Sequence, residues 1–235
     1  MNFETFSAYG VELKELLQLE GHPVAIKLIP VGQADDITGK FDKLDRVMRH
    51  CQITDHVRHS GETFYTTIEE HQCKGGAAAL GLTQLPEKVR TGEFYCDGLK
   101  QFENVAAAKE TIDQVTFLKP FSTSAVVYGP LDGVKFDPDV VIFICKPKQA
   151  MLLTQGFLFK DGGRIHSEFS GKQSVCSDAV AQVLTLDRPN LTIGCSGSRS
   201  YAKIMDEELL FSMPIKDLEK TVSGLRILIE NTKKK

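Results

Sequence analysis

Six consecutive apolar residues, VVIFIC at 140–145, constrain this fold more than any other stretch. The run has the length of a strand and is closed by Asp-Pro-Asp before it and Lys-Pro after it. Successive side chains of a strand point to opposite faces, so an unbroken apolar run needs cover on both sides. That predicts a central strand in a layered α/β unit with helices over the sheet. The chain has 235 residues, of which 42% are hydrophobic and 25% charged, which suffices for one compact unit with a substantial core.

No stretch approaches the roughly 18 apolar residues that a membrane span needs. The opening MNFETFSAYGVELKELLQLEG has no basic start and carries Glu4, Glu12 and Glu15, unlike a secretory leader. These features predict a cytoplasmic chain with no membrane partner. A net charge of −3, from 28 basic and 31 acidic residues, gives no electrostatic footprint for nucleic acid. In a reducing compartment six cysteines point to metal binding or redox chemistry rather than to structural disulfides.

Periodicity predicts helices over 2–19 (Phe6, Val11, Leu13, Leu16 and Leu17 on one face), 41–61, about 98–114, 146–163, 177–184 and 214–231, the last with Pro214 in its first turn. Strands are expected at 22–30, 62–70, 122–132, 137–145 and 164–170, and GQADDITG at 32–39 is expected to be loop. Both halves then run strand, helix, strand, cysteine, small-residue helix. The sequence reads as one α/β domain over 1–235 with a mixed sheet, with internal repeats at 22–121 and 122–235 as an open alternative to chance recurrence.

Two stretches carry this rhythm into chemistry. HQCKGGAAALGL at 71–82 and SVCSDAVAQVL at 174–184 each put a cysteine at the start of a small-residue helix. Unpaired N–H groups there stabilise a thiolate or donate to a metal-bound sulfur. Gly75 and Gly76 remove side chains, so that a bulky group can approach the backbone, and Asp178 reads as a first-turn acid or a cap. Cys195 sits in GCSGSRSY, where Gly194, Gly197 and the flanking serines expose amides that can wrap an anion or a cluster. Arg199 adds a charge able to pair with a carboxylate or phosphate. Cys51 follows Arg49-His50 on the apolar stripe of its helix, where a core role and a ligand role are equally open. Cys96 and Cys145 read as plain core or loop residues.

His56 and His59 are three apart, as zinc ligands on one helix face can be, but nothing near them completes a site. His50 and His71 flank cysteines directly. Tyr128, Gly129 and Pro130 read as a turn. No CxxC, HExxH, phosphate-loop, GxSxG or dinucleotide motif is present.

RHCQ at 49–52, CKGGAAALGL at 73–82, YGPL at 128–131, VVIFICKPKQAM at 140–151 and GCSGSR at 194–199 together resemble the family called domain of unknown function 169, found largely in archaea and anaerobic bacteria. The resemblance covers roughly residues 10–215. It implies that Cys51, Cys73, Cys176 and Cys195 belong to the family pattern, and an anaerobic setting favours iron–sulfur chemistry.

Three readings follow. The first is a cysteine-ligated iron–sulfur protein of [4Fe–4S] type, with zinc as the alternative metal, whose ligands are Cys51, Cys73, Cys176 and Cys195 and whose surroundings are Gly75, Gly76, Gly194, Gly197 and Arg199. The second is a metal-free thiol enzyme that uses Cys73 or Cys176 as nucleophile and Cys195 as resolving thiol. The third is a non-catalytic module for an anion or a tetrapyrrole. Its partners would be a redox partner, a small-molecule ligand or a second copy of the chain.

Overall fold

The computed structural model describes residues 2–33, 37 and 39–233. Seven strands form one sheet: β1 (Val24–Pro30), β2 (Asp42–Lys43), β3 (Phe64–Thr66), β4 (Thr123–Pro130), β5 (Val140–Cys145), β6 (Asn190–Thr192) and β7 (Leu209–Pro214). Their order is β2-β3-β4-β1-β5-β7-β6. Only the β2–β3 pair is parallel, so the sheet is mixed. The VVIFIC run is β5, paired antiparallel to both β1 and β7, and every one of its residues is buried. Part of the GQADDITG loop lies outside the described residues.

Alternation along the strands sorts the core into two layers. Ala25, Val127, Val141, Phe143 and Met213 face one side, against α1 (Phe3–Leu17), α6 (Pro147–Leu158) and α9 (Leu218–Lys233). Val24, Ile26, Val126, Ile142 and Leu210 face the other, against α2 (His50–Ser60), α3 (Lys74–Ala79) and a π-helix at Ser174–Ala181 that continues as α7 (Gln182–Leu186). Two short helices, α4 (Glu87–Arg90) and α5 (Val105–Asp113), frame a satellite cluster that holds Cys96. A last short helix, α8 (Ser196–Tyr201), precedes β7.

On the first face α6 and α9 cross where Gly156 meets Gly224. A Cβ on Gly224 would stand 2.3 Å from the Gly156 carbonyl oxygen. Leu218, Val222, Leu225 and Ile229 of α9 share the stripe that the period predicts. Pro214, however, is the last residue of β7, and the helix starts four residues later.

Other expectations are corrected. Residues 41–49 are extended rather than helical, because Phe41 packs on one face of the sheet and Leu44 on the other, while Val47 is exposed. Their i, i+3, i+4 spacing imitates a helix, yet their burial follows a strand. Val11 of α1 is also exposed. RIHSEFS at 164–170 is irregular, and the strand missed at 209–214 takes the place beside β5. Tyr128-Gly129-Pro130 is not a turn but the end of β4, with Tyr128 fully buried. The helices that precede the two cysteine junctions, α2 and α6, lie on opposite faces of the sheet.

Candidate functional site

A cleft of about 580 Å³ opens on the α2/α3 side of the sheet. Cys51, Cys73, Cys176 and Cys195 all line it, although they come from four separate segments. Cys96 and Cys145 do not. Cys96 sits in the satellite cluster with its Sγ 3.7 Å from the Phe102 carbonyl oxygen, and Cys145 lies in the core layer on the far side of the sheet.

Each of the four sits near the start of a helical segment. Cys51 is in the first turn of α2, held by the extended residue Arg49. Cys73 caps α3, and its Sγ accepts the Gly76 N–H at 3.3 Å. Cys195 caps α8, where the Ser198 Oγ takes its backbone N–H at 2.9 Å. Cys176 lies in the π-helix and donates to the Gln173 carbonyl at 3.4 Å and to the Gln173 side-chain Oε1 at 3.2 Å. π-Helical turns are uncommon and recur at functional sites. A second one, Phe94–Gly98, forms part of the opposite wall.

Burial pushes the Cys51 thiol up to about 12, with Cys195 and Cys73 adding to the shift. Burial also pushes Cys176 well up, and Cys73, Cys195 and Cys51 act on it in the same direction. The four sulfurs therefore share one electrostatic environment.

The two glycines after Cys73 have different jobs. A Cβ on Gly76 would lie 3.6 Å from the Sγ of Cys73 and 3.6 Å from that of Cys176. The two sulfurs are thus no more than twice that distance apart, and Gly76 keeps the space between them open. Gly75 also lines the cleft, but the room left by its missing side chain is taken. A Cβ there would meet the Gln173 Nε2 at 2.5 Å. That amide fills the place, donates to the Tyr95 hydroxyl at 2.9 Å and accepts from Cys176 through Oε1. Gln173 holds this position in a left-handed backbone conformation, φ 54°.

Gly197 lines the cleft, and a Cβ on it would approach the Cys195 Sγ to 3.8 Å. Gly194 and Arg199 stand behind the wall. Arg199 donates to the carbonyls of Ile193 (2.6 Å), Glu208 (2.7 Å), Ile204 and Met205, so it ties down the Cys195 loop and does not present its charge to a ligand. Gly194, at φ +85°, leaves room for that guanidinium.

His50, at the floor of the cleft, stacks on His71, which does not line it, with ring centroids 6.4 Å apart. The His50 Nδ1 meets the Tyr128 hydroxyl at 2.8 Å, and the His71 Nε2 meets the Thr66 Oγ1 at 2.9 Å. Burial, with His71 adding, pushes His50 down to about 3, and burial pushes His71 down to about 4. Both rings are therefore neutral at pH 7, and each has one buried nitrogen that, among the described residues, makes no well-formed hydrogen bond. His56 and His59 are elsewhere: His56 pairs with Glu62 and His59 with Asp55. Asp178 is neither a first-turn acid nor a cap: it is the buried fifth residue of the π-helix. It accepts from Thr192 at 2.8 Å, and burial pushes it up to about 7.

The charged and aromatic rim was not foreseen. Lys172, Tyr95 and Phe94 come from segments with no motif, Arg49 and Tyr201 sit at the ends of two cysteine motifs, and only their convergence makes the rim visible. Among the described residues, no three His, Cys, Asp or Glu side chains already converge as ligands of one metal ion. A single zinc ion needs all its sulfurs at about 2.3 Å from one centre. A [4Fe–4S] cluster bonds each of four thiolates to a different iron and so suits thiols spread around a cavity.

The sequence profile of the uncharacterised ArCR family, domain of unknown function 169, matches residues 12–224. The uncharacterised protein MJ0308 of Methanocaldococcus jannaschii is 39% identical over 215 residues, 91% of each chain. No solved structure matches. No helix among the described residues is long and apolar enough to cross a membrane.

Proposed function

Because this chain belongs to the uncharacterised ArCR family, whose description assigns no activity, we propose its function from the cleft: a cytoplasmic, cysteine-ligated iron–sulfur protein with a redox or small-molecule-binding role. Cys51, Cys73, Cys176 and Cys195 would hold the cluster. One observation carries this reading. Of six cysteines, four converge on one cleft from four separate segments and from both halves of the chain, each in or beside the first turn of a helical segment. Further support comes from the spread of the sulfurs, the gap that Gly76 leaves between two of them, and the N–H that Gly76 already directs at the Cys73 Sγ. Amide hydrogen bonds to cluster sulfurs raise the reduction potential, and burial tunes it further.

Anaerobic purification with iron, sulfide and zinc analysis tests the proposal. The expected result is a brown protein with about four irons and four sulfides per chain. One zinc without sulfide would replace the cluster by a single ion. A colourless protein free of both metals after anaerobic reconstitution would overturn the reading.

The Cys73 cap geometry also favours a second reading, in which this half-buried sulfur is a nucleophile without metal. Cys73→Ser separates the two. It removes iron in the first case; in the second it leaves a metal-free protein folded and blocks its alkylation by iodoacetamide at that site.

A further inference from the structure

We propose that the cleft takes a small organic anion, a carboxylate or phosphate head on a planar apolar body, bound at the rim above the cysteines. The proposal rests on the same cleft as the functional reading but not on the metal.

The rim is one-signed. Arg49, Lys74, Lys88 and Lys172 line it, and among the described residues no aspartate or glutamate does. This runs against the composition of the chain, in which acids outnumber bases by 31 to 28. Elsewhere lysines and arginines find carboxylates readily, as Arg226 does at Glu12 and Lys146 at Glu20. None of the four rim cations forms an ion pair among the described residues. Their nearest partners are neutral. The Lys172 Nζ donates to the Gln101 Oε1 at 2.7 Å, and the Arg49 Nη1 donates to the Gln72 Oε1 at 2.7 Å. An amide orients a cation without neutralising it. A concave site lined by one sign of charge concentrates counter-ions of the other.

The second half of the recognition is aromatic. The Arg49 guanidinium lies 3.6 Å over the Tyr201 ring, and the Lys172 ammonium lies 5.2 Å from the Phe102 ring centre. Phe94, Leu99 and Tyr201 are 42%, 44% and 54% exposed at the mouth. Large apolar side chains left open beside unpaired cations suit a ligand with a flat apolar body and an anionic end. The floor supplies a third element. His50 lines the cleft and is 2% exposed, and among the described residues its Nε2 makes no well-formed hydrogen bond. A polar atom on the ligand would satisfy it.

Calorimetric titration of the full-length protein with three probes of one shape tests this. The probes are 2-naphthoate, 2-naphthyl phosphate and the neutral 2-naphthamide. Each is titrated into anaerobically purified protein of measured iron content and into the same protein after iron removal. At least one anion should bind tenfold or more tighter than the amide in the iron-free sample, and the comparison of carboxylate with phosphate identifies the head group. Lys172→Gln and Lys88→Gln should each reduce that preference severalfold, with thermal stability unchanged. Equal binding of amide and anions, or binding of none at millimolar concentration, overturns the proposal. Anion selectivity in a protein that holds no iron even after anaerobic reconstitution would sustain it and remove the cluster. Iron-loaded protein with no anion selectivity in either form would do the reverse.

Discussion

Neighbouring residues of β5 meet two different worlds. Val141, Phe143 and Cys145 face α1, α6 and α9, in a layer closed by leucines and by the Gly156–Gly224 contact. Val140, Ile142 and Ile144 face α2, α3 and the π-helix, and that layer ends in the cysteine cleft. Among the described residues, the buried polar atoms that make no well-formed hydrogen bond include His50 Nε2 and His71 Nδ1, and none belongs to α1, α6 or α9. One face has been packed for stability. The other carries polar groups that a stability optimum would remove, which is the mark of a functional surface.

This contrast can be broken by substitution. The largest effect on folding is expected from Phe143→Ala on the closed face. Loss of a fully buried ring should cost about 3–5 kcal/mol, read as a fall in the midpoint of chemical unfolding. Gly224→Ala should cost about 1–3 kcal/mol or more, because its new methyl meets backbone and forces α6 and α9 apart. A gain in melting temperature would show that the helices slide freely.

A paired test sharpens the comparison. Cys145→Ser places a hydroxyl in the apolar layer and should cost about 1–3 kcal/mol while leaving iron content unchanged. Cys176→Ser should alter the stability of the iron-free protein less, since Gln173 already offers two acceptors to the side chain at this position. It should abolish iron binding, measured by metal analysis. Equal iron loss in both variants would show that the faces are not separate. The smallest effect is expected from Gly76→Ala. Its methyl makes ordinary contacts, and removing a helix-interior glycine should stabilise the iron-free protein by about 0.5–1 kcal/mol. The same methyl sits between two sulfurs, so iron occupancy should fall.

The closed face was largely legible in the sequence. β5, α6 and α9 follow from an apolar run, a proline near a helix start and a regular stripe, signals that burial on that side obeys directly. The cleft face was legible in part. Cysteines at expected helix starts marked it, with glycine or serine within two residues after Cys73, Cys176 and Cys195. The roles of their neighbours were not readable. Gly75 serves Gln173, which lies 98 positions later, and Arg199 serves four carbonyls, those of Ile193, Ile204, Met205 and Glu208, rather than a ligand. Side chains that answer to a distant backbone leave no local period. The same limit made 41–49 look helical, when its apolar residues divide between the two layers.

The sheet tapers. β4 has eight residues and β1 seven, while the outermost strands β2 and β6 have two and three. Exposed strand edges are where β-proteins recruit copies of themselves, and short edges are a common protection. The margins of this sheet offer a neighbour only a few backbone partners. A fold whose centre is rich in β-branched and aromatic residues is thereby kept from polymerising edge to edge. A second copy of this chain, where it binds, would have to meet side-chain surface rather than continue the ladder.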